Sequence, residues 1–390
     1  MSAPTSSAHR NPPVAYIELF YDLVMVAAII VFSTKVSHDL SRHNIAWFII
    51  VFAMLWWAWL TTTLVQNASR RGDAVVQVLT AAEMLGITLM TILVSDHVGS
   101  DRITVSPTYG GIIMIVALLN LWLSARGPES TRAPAAKRSA SFFLSGLLWI
   151  VAGFIPAPFH GVVWILAAIA MVLPVLSVRL NEGITLAELD QDHLVERFAL
   201  LTLLVIGECF IKVTLSATSR GIHEINLLVL PIEIGLIFAV WAVYFTNVVP
   251  RGLPTSVRDR RAWMGIHLVL QIGLVGLAIG LGRLIVLLDI ETTTRTDVYM
   301  LSIPLAIVFA ALSLLILLGW RSAGRTMALV LATGAAASVA LGFMIIEIQP
   351  FTINEGAVVF GIVEMGAAGI VAWLGHRSTE TGASSPTAGI

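Results

Sequence analysis

The sequence predicts an all-α polytopic membrane bundle of about twelve transmembrane helices, and three observations carry that expectation. Apolar residues make up 57% of the chain and charged residues only 12%, with a mean hydropathy of +0.89. Soluble domains carry about 25% charged residues. Long apolar runs recur between short polar breaks, each close to the ~20 residues that a helix needs to cross hydrocarbon. Lys and Arg gather in alternate breaks, as they do when one set of loops faces the cytoplasm.

In chain order, residues 1–15 are rich in Ser, Ala and Pro and lead straight into Glu18 and Asp22. They read as a disordered cytoplasmic tail before an uncleaved first helix, because a signal peptide needs an unbroken apolar core and a small-residue cleavage site. The spans follow at 16–35, 45–65, 74–94, 108–125, 140–156, 160–178, 196–216, 225–248, 263–288, 298–320, 325–348 and 355–375. The fifth and sixth are squeezed around Pro156-Ala157-Pro158, so a re-entrant hairpin over 140–178 would leave ten crossings. Residues 16–178 form a first six-helix half, 179–195 a cytoplasmic connection, 196–375 a second half, and 376–390 a disordered cytoplasmic tail.

The basic residues test this register. Fifteen Lys and Arg fall on the side of the two termini, including Arg70, Arg71, Arg126, Arg132, Arg251, Arg258 and Arg325. Five fall opposite (Lys35, Arg42, Arg102, Arg220 and Arg295), and Arg197, Lys212 and Arg283 lie inside spans. Both termini are therefore expected in the cytoplasm. No loop exceeds about twenty residues, which leaves no extramembrane domain.

Several function classes are excluded. A net charge of −1 gives no bulk attraction to nucleic acid. A single cysteine, Cys209, rules out intrachain disulfides and Cys-based metal sites. The phosphate-loop pattern G-x-x-x-x-G-K-[ST] and the zinc pattern H-E-x-x-H are both absent, and no cofactor is called for.

The two halves share features. Glu18-x-Phe20 opens span one and Glu196-x-Phe198 opens span seven, 178 positions later. Trp57-Ala58-Trp59 with Asn67 recurs as Trp241-Ala242-Val243 with Asn247, at offsets of 184 and 180, each before a basic loop. Two parallel six-helix repeats about an axis along the membrane normal would be a transporter-like arrangement. Tryptophans at helix ends and basic loops recur in any such protein, so both readings stay open.

The ionisable residues inside spans are the candidate site. A charged side chain at membrane depth costs at least ~2.5–3.5 kcal/mol unless it meets a partner or water. Glu18 and Asp22, four apart, share a face of span one. Glu18 suits a helix start, where the macrodipole favours an acid; Asp22 precedes unbroken apolar sequence to Phe32. His193, Glu196 and Arg197 are spaced to share a face at the start of span seven, with Thr185-x-x-Glu188 upstream as a capping box. One His-x-x-Glu without a second copy is a poor metal site, so none is expected. An ion pair of Arg197 with Glu18 or Asp22, joining the first and seventh helices, is the structural alternative. Glu208 and Lys212 lie deeper in span seven and could cancel each other, beside Cys209 and Gly207, the glycine permitting close helix approach. Glu83 and Glu364 fall near midplane, Glu233 and Glu347 in other spans, and Arg283 in span nine near Gly276, Gly280 and Gly282. A carboxyl group at that depth can hold a proton or exchange it. The intramembrane polar set is thus Asp22, Glu83, Glu208, Lys212, Arg283 and Glu364; the cytoplasmic-end set is Glu18, His193, Glu196 and Arg197.

Glu18-Leu19-Phe20-Tyr21-Asp22-Leu23-Val24 and His193-Leu194-x-Glu196-Arg197-Phe198…Gly207-Glu208, with Trp56-Trp57-Ala58-Trp59 and Glu83-Met84-Leu85-Gly86, resemble the bacterial low temperature requirement protein A (LtrA) family. The resemblance runs from residue 16 to about 375. It implies a multi-pass protein of the bacterial inner membrane, named for a requirement for growth in the cold, and no particular reaction or substrate. Family members often carry Phe at the position of Tyr21.

The leading functional expectation is a secondary transporter of a small solute or ion, with Asp22, Glu83 or Glu208 as the candidates for proton coupling. An intramembrane enzyme acting on a lipid or isoprenoid through a carboxylic general acid is the main alternative. A sensor or assembly factor without turnover is the third. No residue is assigned a catalytic role, and the oligomeric state is left open.

Overall fold

A computed structural model of the chain describes residues 16–70, 72–96, 102–156, 158–176, 190–220, 225, 227, 229–286, 294–319, 324–347 and 353–383. The described residues form twelve helices: α1 (Tyr16–His38), α2 (Arg42–Ala68), α3 (Ala74–Asp96), α4 (Arg102–Arg126), α5 (Glu129–Phe154), α6 (Phe159–Leu176), α7 (Gln191–Arg220), α8 (Leu230–Asn247), α9 (Val257–Leu284), α10 (Arg295–Gly319), α11 (Gly324–Glu347) and α12 (Ile353–Ala383). Nine are long and apolar enough to cross a membrane, and Phe159–Val175 and Val358–Leu374 are shorter apolar helices. The 140–178 region holds the C-terminal part of α5, which starts at Glu129 and is not one of the nine, and the 18-residue α6, about 27 Å long at 1.5 Å per residue.

The expected spans and observed helices correspond one to one, and the differences lie at the ends. Helix α7 begins at Gln191, ahead of the expected 196, which brings His193 into its first turn. Helix α12 continues to Ala383, through part of the segment expected to be a disordered tail. The 1–15 tail and the Thr185-x-x-Glu188 capping box lie outside the described residues.

Sequence chemistry explains several boundaries. Ser41 and Ser256 cap α2 and α9, each side-chain oxygen accepting from the backbone N–H three residues on (Asn44 at 3.3 Å, Asp259 at 3.0 Å). Asp73 caps α3 in the same way, accepting from Val75 at 3.0 Å and Val76 at 3.3 Å. Pro231 sits at the start of α8, where its missing N–H has no helical partner to lose.

Helices α1, α2, α7 and α9 make the centre: α1 touches α2, α3, α7 and α9, and α2 touches α7 and α9. From this centre α3, α4, α5 and α6 pack in succession on one flank, and α9, α10, α11 and α12 on the other, where α12 closes against α8. Two contacts are tight because glycine permits them. On α4 and α5, a Cβ at Gly110 would stand 2.7 Å from the Gly146 carbonyl. On α9, Gly273, Gly276 and Gly280 face α10, and a Cβ at Gly280 would run into the Met300 carbonyl.

The inside and outside of α1 are reversed relative to a soluble helix. Its buried stripe is Glu18, Tyr21, Asp22, Met25, Val26, Ile29, Phe32, Ser33 and Val36, while Phe20, Leu23 and Val31 are exposed. Apolar side chains on the outer face and ionisable ones on the inner face are what hydrocarbon demands.

Candidate functional site

Helices α1 and α7 run parallel and in fixed register, with Glu18 against His193, Asp22 against Arg197 and Ser33 against Glu208, each pair 175 positions apart. This polar seam covers about 22 Å of helix from Glu18 to Ser33. It runs from the end of the bundle where α1 starts (the near end) toward the opposite, far end.

At the near end the Glu18 carboxylate lies 2.9 Å from His193 Nε2. Helix α7 starts here because Asp190 caps it, its carboxylate accepting from the His193 N–H at 3.1 Å and its carbonyl from Leu194 at 3.0 Å. Asn67, in the last turn of α2, grips the same residue: its Oδ1 accepts from the Asp190 N–H at 3.0 Å and its Nδ2 donates to the Asp190 carbonyl at 2.9 Å. That two-point contact fixes the amide's orientation and turns its N–H toward His193 Nδ1, 3.1 Å away. Nδ1 therefore accepts, and Nε2 carries the proton donated to Glu18. Glu18, His193, Asn67, Gln66, Thr80 and Arg70 line a cavity of about 70 Å³.

One turn deeper, Asp22 and Arg197 are 2.9 Å apart with neither side chain exposed. Trp59 donates its indole N–H to Asp22 Oδ1 at 2.7 Å. Phe198 packs edge-on to Trp59 and Trp56, at centroid distances of 5.1 and 6.3 Å, and tilted against Trp263 at 4.8 Å. Asp22 Oδ2 and Arg197 Nε and Nη1 have no hydrogen-bond partner in the structure. Beside this pair, Glu83 on α3 accepts from Tyr21 and from Thr62, both at 2.7 Å. Adjacent residues of α1 thus engage α3 and α7, and the hydroxyl that separates Tyr21 from Phe is one of two donors to Glu83.

Toward the far end, Ser33 donates to Glu208, and Lys212 donates to Thr34 Oγ1 at 2.5 Å. Glu208 and Lys212, which could cancel each other by spacing, attract through charge without a direct ion pair among the described residues, and each is held by a neighbouring hydroxyl of α1. The far-end cavity, about 220 Å³, is lined by Ser37, His38, Lys212, Ser216, Arg220 and Arg283. Between the seam's two halves, Gln271 on α9 accepts from the Trp56 indole at 2.8 Å and donates to Thr202 at 3.1 Å. A turn away, His267 Nδ1 faces the Trp263 carbonyl at 2.8 Å, so its Nε2 accepts from the Tyr244 hydroxyl at 3.0 Å.

The remaining sequence candidates are dispersed. Glu196 is exposed, so it leaves the face it was expected to share with His193 and Arg197. Arg283 sits in the last turn of α9, not mid-span, and pairs with Asp297 of α10. Glu364 accepts from Ser338 at 2.8 Å across α11 and α12. Glu233 is buried on α8 with neither carboxylate oxygen hydrogen-bonded, and Glu347 meets Arg295 at 3.3 Å. Gly207 has open space beside it rather than a close helix. No group of three metal-ligating side chains occurs among the described residues. Asn67, Trp59, Thr62, Asp190, Ser33 and Gln271 belong to the network without having been expected there. Thr62, Ser33 and Gln271 show in the sequence only as polar residues inside apolar runs, Trp59 as part of a tryptophan cluster, and Asn67 and Asp190 as polar residues at run ends, none of which names a partner.

Near the bundle's ends, Asp73 is the clearest perturbed acid. Partial desolvation would raise it, but the Trp122 indole, the Val76 and Val75 N–H groups and the Arg126 charge hold its carboxyl below the usual range.

Twelve helices, nine of them long and apolar enough to cross a membrane, with an inward, charge-paired seam define a multi-pass α-helical membrane protein. The family described as "Bacterial low temperature requirement A protein (LtrA)" matches residues 13–363, and the chain belongs to that family. It is also similar, at 25% identity over 236 residues, to a protein of Rhizobium meliloti (strain 1021) described as "Uncharacterized protein RA0937". That alignment takes in 58% of this chain and 57% of the relative, so the chain spans little more than half of the relative's length.

Proposed function

We propose that this LtrA-family protein is a secondary transporter of a small solute or ion, with its path along the α1–α7 seam and proton coupling through Glu208 and Glu83. The observation that carries the proposal is the row of buried polar pairs, Glu18–His193, Asp22–Arg197, Ser33–Glu208 and Thr34–Lys212, with a cavity at each end. Charge placed along one continuous interface and reachable from both ends suits stepwise movement of an ion. Isolated charges that merely pin helices have no need of such an arrangement. Packed residues such as Met25, Ile29, Leu201 and Val205 lie between the two ends, as an occluded state would have them.

Two further parts belong to the proposal. The near end faces the cytoplasm of a bacterial inner membrane, an orientation supported by the three-to-one bias of Lys and Arg. The two halves are parallel repeats of six helices. Supporting this, α1 packs on α3 and α7 on α9, and the remaining helices of each half follow in the same order. Glu83 on α3 bonds Thr62 of α2, and His267 on α9 bonds Tyr244 of α8, the second pair lying 184 and 182 positions on from the first.

The test is reconstitution in liposomes with an imposed pH gradient and an internal pH dye, challenged with a panel of inorganic ions, carboxylates and amino acids. Wild-type protein is expected to move protons only with one class of solute. Glu208→Gln keeps the shape and the acceptor for Ser33 while losing the exchangeable proton, so it is expected to uncouple flux from the gradient. Silence across the whole panel, with no proton uptake, would remove the basis for transport. Asp22→Asn is the poorer probe, because it strands the buried Arg197.

A further inference from the structure

We infer an anionic-phospholipid headgroup site at the near end of the bundle, in the groove where α2, α3, α4 and α5 meet. The groove has a volume of about 920 Å³ and is lined by Arg70, Asp73, Trp122, Arg126, Glu129 and Arg132 among others. It adjoins the near-end cavity of the α1–α7 seam, sharing Arg70 and Asp73 with it, but its argument does not depend on the transport proposal.

Three features point to a lipid phosphate. The arginines are available: Arg70 and Arg126 are exposed and make no ion pair among the described residues, Arg126 acting on Asp73 only through its charge, and Arg132 uses only its Nε, on the Gly127 carbonyl at 3.0 Å. The acids are largely spoken for, since the Asp73 carboxylate accepts from Val75, from Val76 and from the Trp122 indole at 2.8 Å. Helix dipoles decide nothing here, because the C-termini of α2 and α4 offset the N-termini of α3 and α5. Formal charge decides instead: among the described lining residues, three arginines against Asp73 and Glu129 leave a net charge of +1, the complement of one phosphodiester.

The surroundings select a lipid over a free anion. Trp122 is anchored by Asp73 and lies beneath Arg126, whose guanidinium carbon stands 5.6 Å from the ring centroid. An indole with one apolar and one hydrogen-bonded edge suits the headgroup level of a bilayer. Under the groove lies a small apolar cluster, Val65, Val76, Leu119, Leu123 and Ala135, separate from the main core. Arginines at the rim over an apolar floor fit a headgroup with the start of its acyl chains.

The test uses purified full-length protein, stripped of lipid in a neutral detergent and titrated with dioleoyl phosphatidylglycerol or dioleoyl phosphatidylcholine. Bound lipid is read by native mass spectrometry, and thermal stability in parallel. Wild type is expected to prefer phosphatidylglycerol by at least tenfold. Arg70→Gln with Arg126→Gln should weaken that lipid roughly 25-fold, about fivefold per arginine, and leave phosphatidylcholine unchanged. Both residues are exposed and neither makes an ion pair among the described residues, so this variant should fold. A matched control, Arg258→Gln with Arg325→Gln, removes two charges elsewhere. Equal loss in the control would reduce the effect to general surface charge and overturn the site. Equal stabilisation by inorganic phosphate alone would hand the groove to a free anion and overturn the lipid assignment.

Discussion

Asp22 and Arg197 show how a charge survives in hydrocarbon. Each is wholly buried, and each is affordable only because the other stands 2.9 Å away. Taking away one partner leaves an uncompensated buried charge, at a cost of about 3–5 kcal/mol, whereas replacing both with apolar residues can be nearly neutral. Asp22→Asn is therefore expected to lower thermal stability sharply, and Asp22→Leu combined with Arg197→Met to recover most of it. If the double variant melts no higher than the single, the pair is not the source of the loss. The spacing of Arg197 offered Glu18 and Asp22 as partners, and the structure pairs it with Asp22. The other half of the site was not legible at this scale. Ser33, Thr62 and Asn67 are ordinary in sequence and matter because they lie opposite a carboxylate or an imidazole on another helix.

Among elements, helix contacts are set by what glycine allows and helix starts by their caps. Gly280→Ala would place a methyl group against the Met300 backbone carbonyl, which cannot step aside as a flexible side chain can. A loss of about 1–3 kcal/mol is expected from overpacking. Gly207→Ala, with open space around it, is expected to change stability by less than about 0.5 kcal/mol. Thermal melts of the two variants side by side separate packing from helix propensity, and equal losses would contradict the close α9–α10 approach. Asp73 adds a pH dependence. Its folded carboxyl titrates below its unfolded value, so its contribution to holding α3 against Trp122 is present above about pH 4. That contribution is lost as the pH falls through the folded value. Asp73→Asn, which still caps a helix, should flatten that part of the acid-stability profile. An unchanged profile would assign the acid sensitivity elsewhere. Most helices were legible at this scale, because apolar runs of membrane length leave little freedom. Where α7 starts was not, because its cap, Asp190, is defined by the Asn67 side chain of a distant helix.

For the whole molecule, the sequence by itself determined that this chain is a multi-pass helical bundle. Composition, run length and the exclusion of unpaired backbone from lipid allow few other outcomes. It also determined that some acids must turn inward, since hydrocarbon taxes them wherever they face it. It could not determine which of them meet. Asp22, Glu83 and Arg197 come together at the crossing of α1, α2, α3 and α7, while Glu208 and Lys212 lie farther along the same seam. Glu364 and Glu233 go to separate interfaces although their sequence credentials are equal, and Arg283 pairs with Asp297 at the edge of the far-end cavity. The physical reason is that a hydropathy pattern reports how deep in hydrocarbon a charge lies, and so what it would cost unpaired. Its partner depends on the rotation and register of another helix, and only the packed bundle sets those.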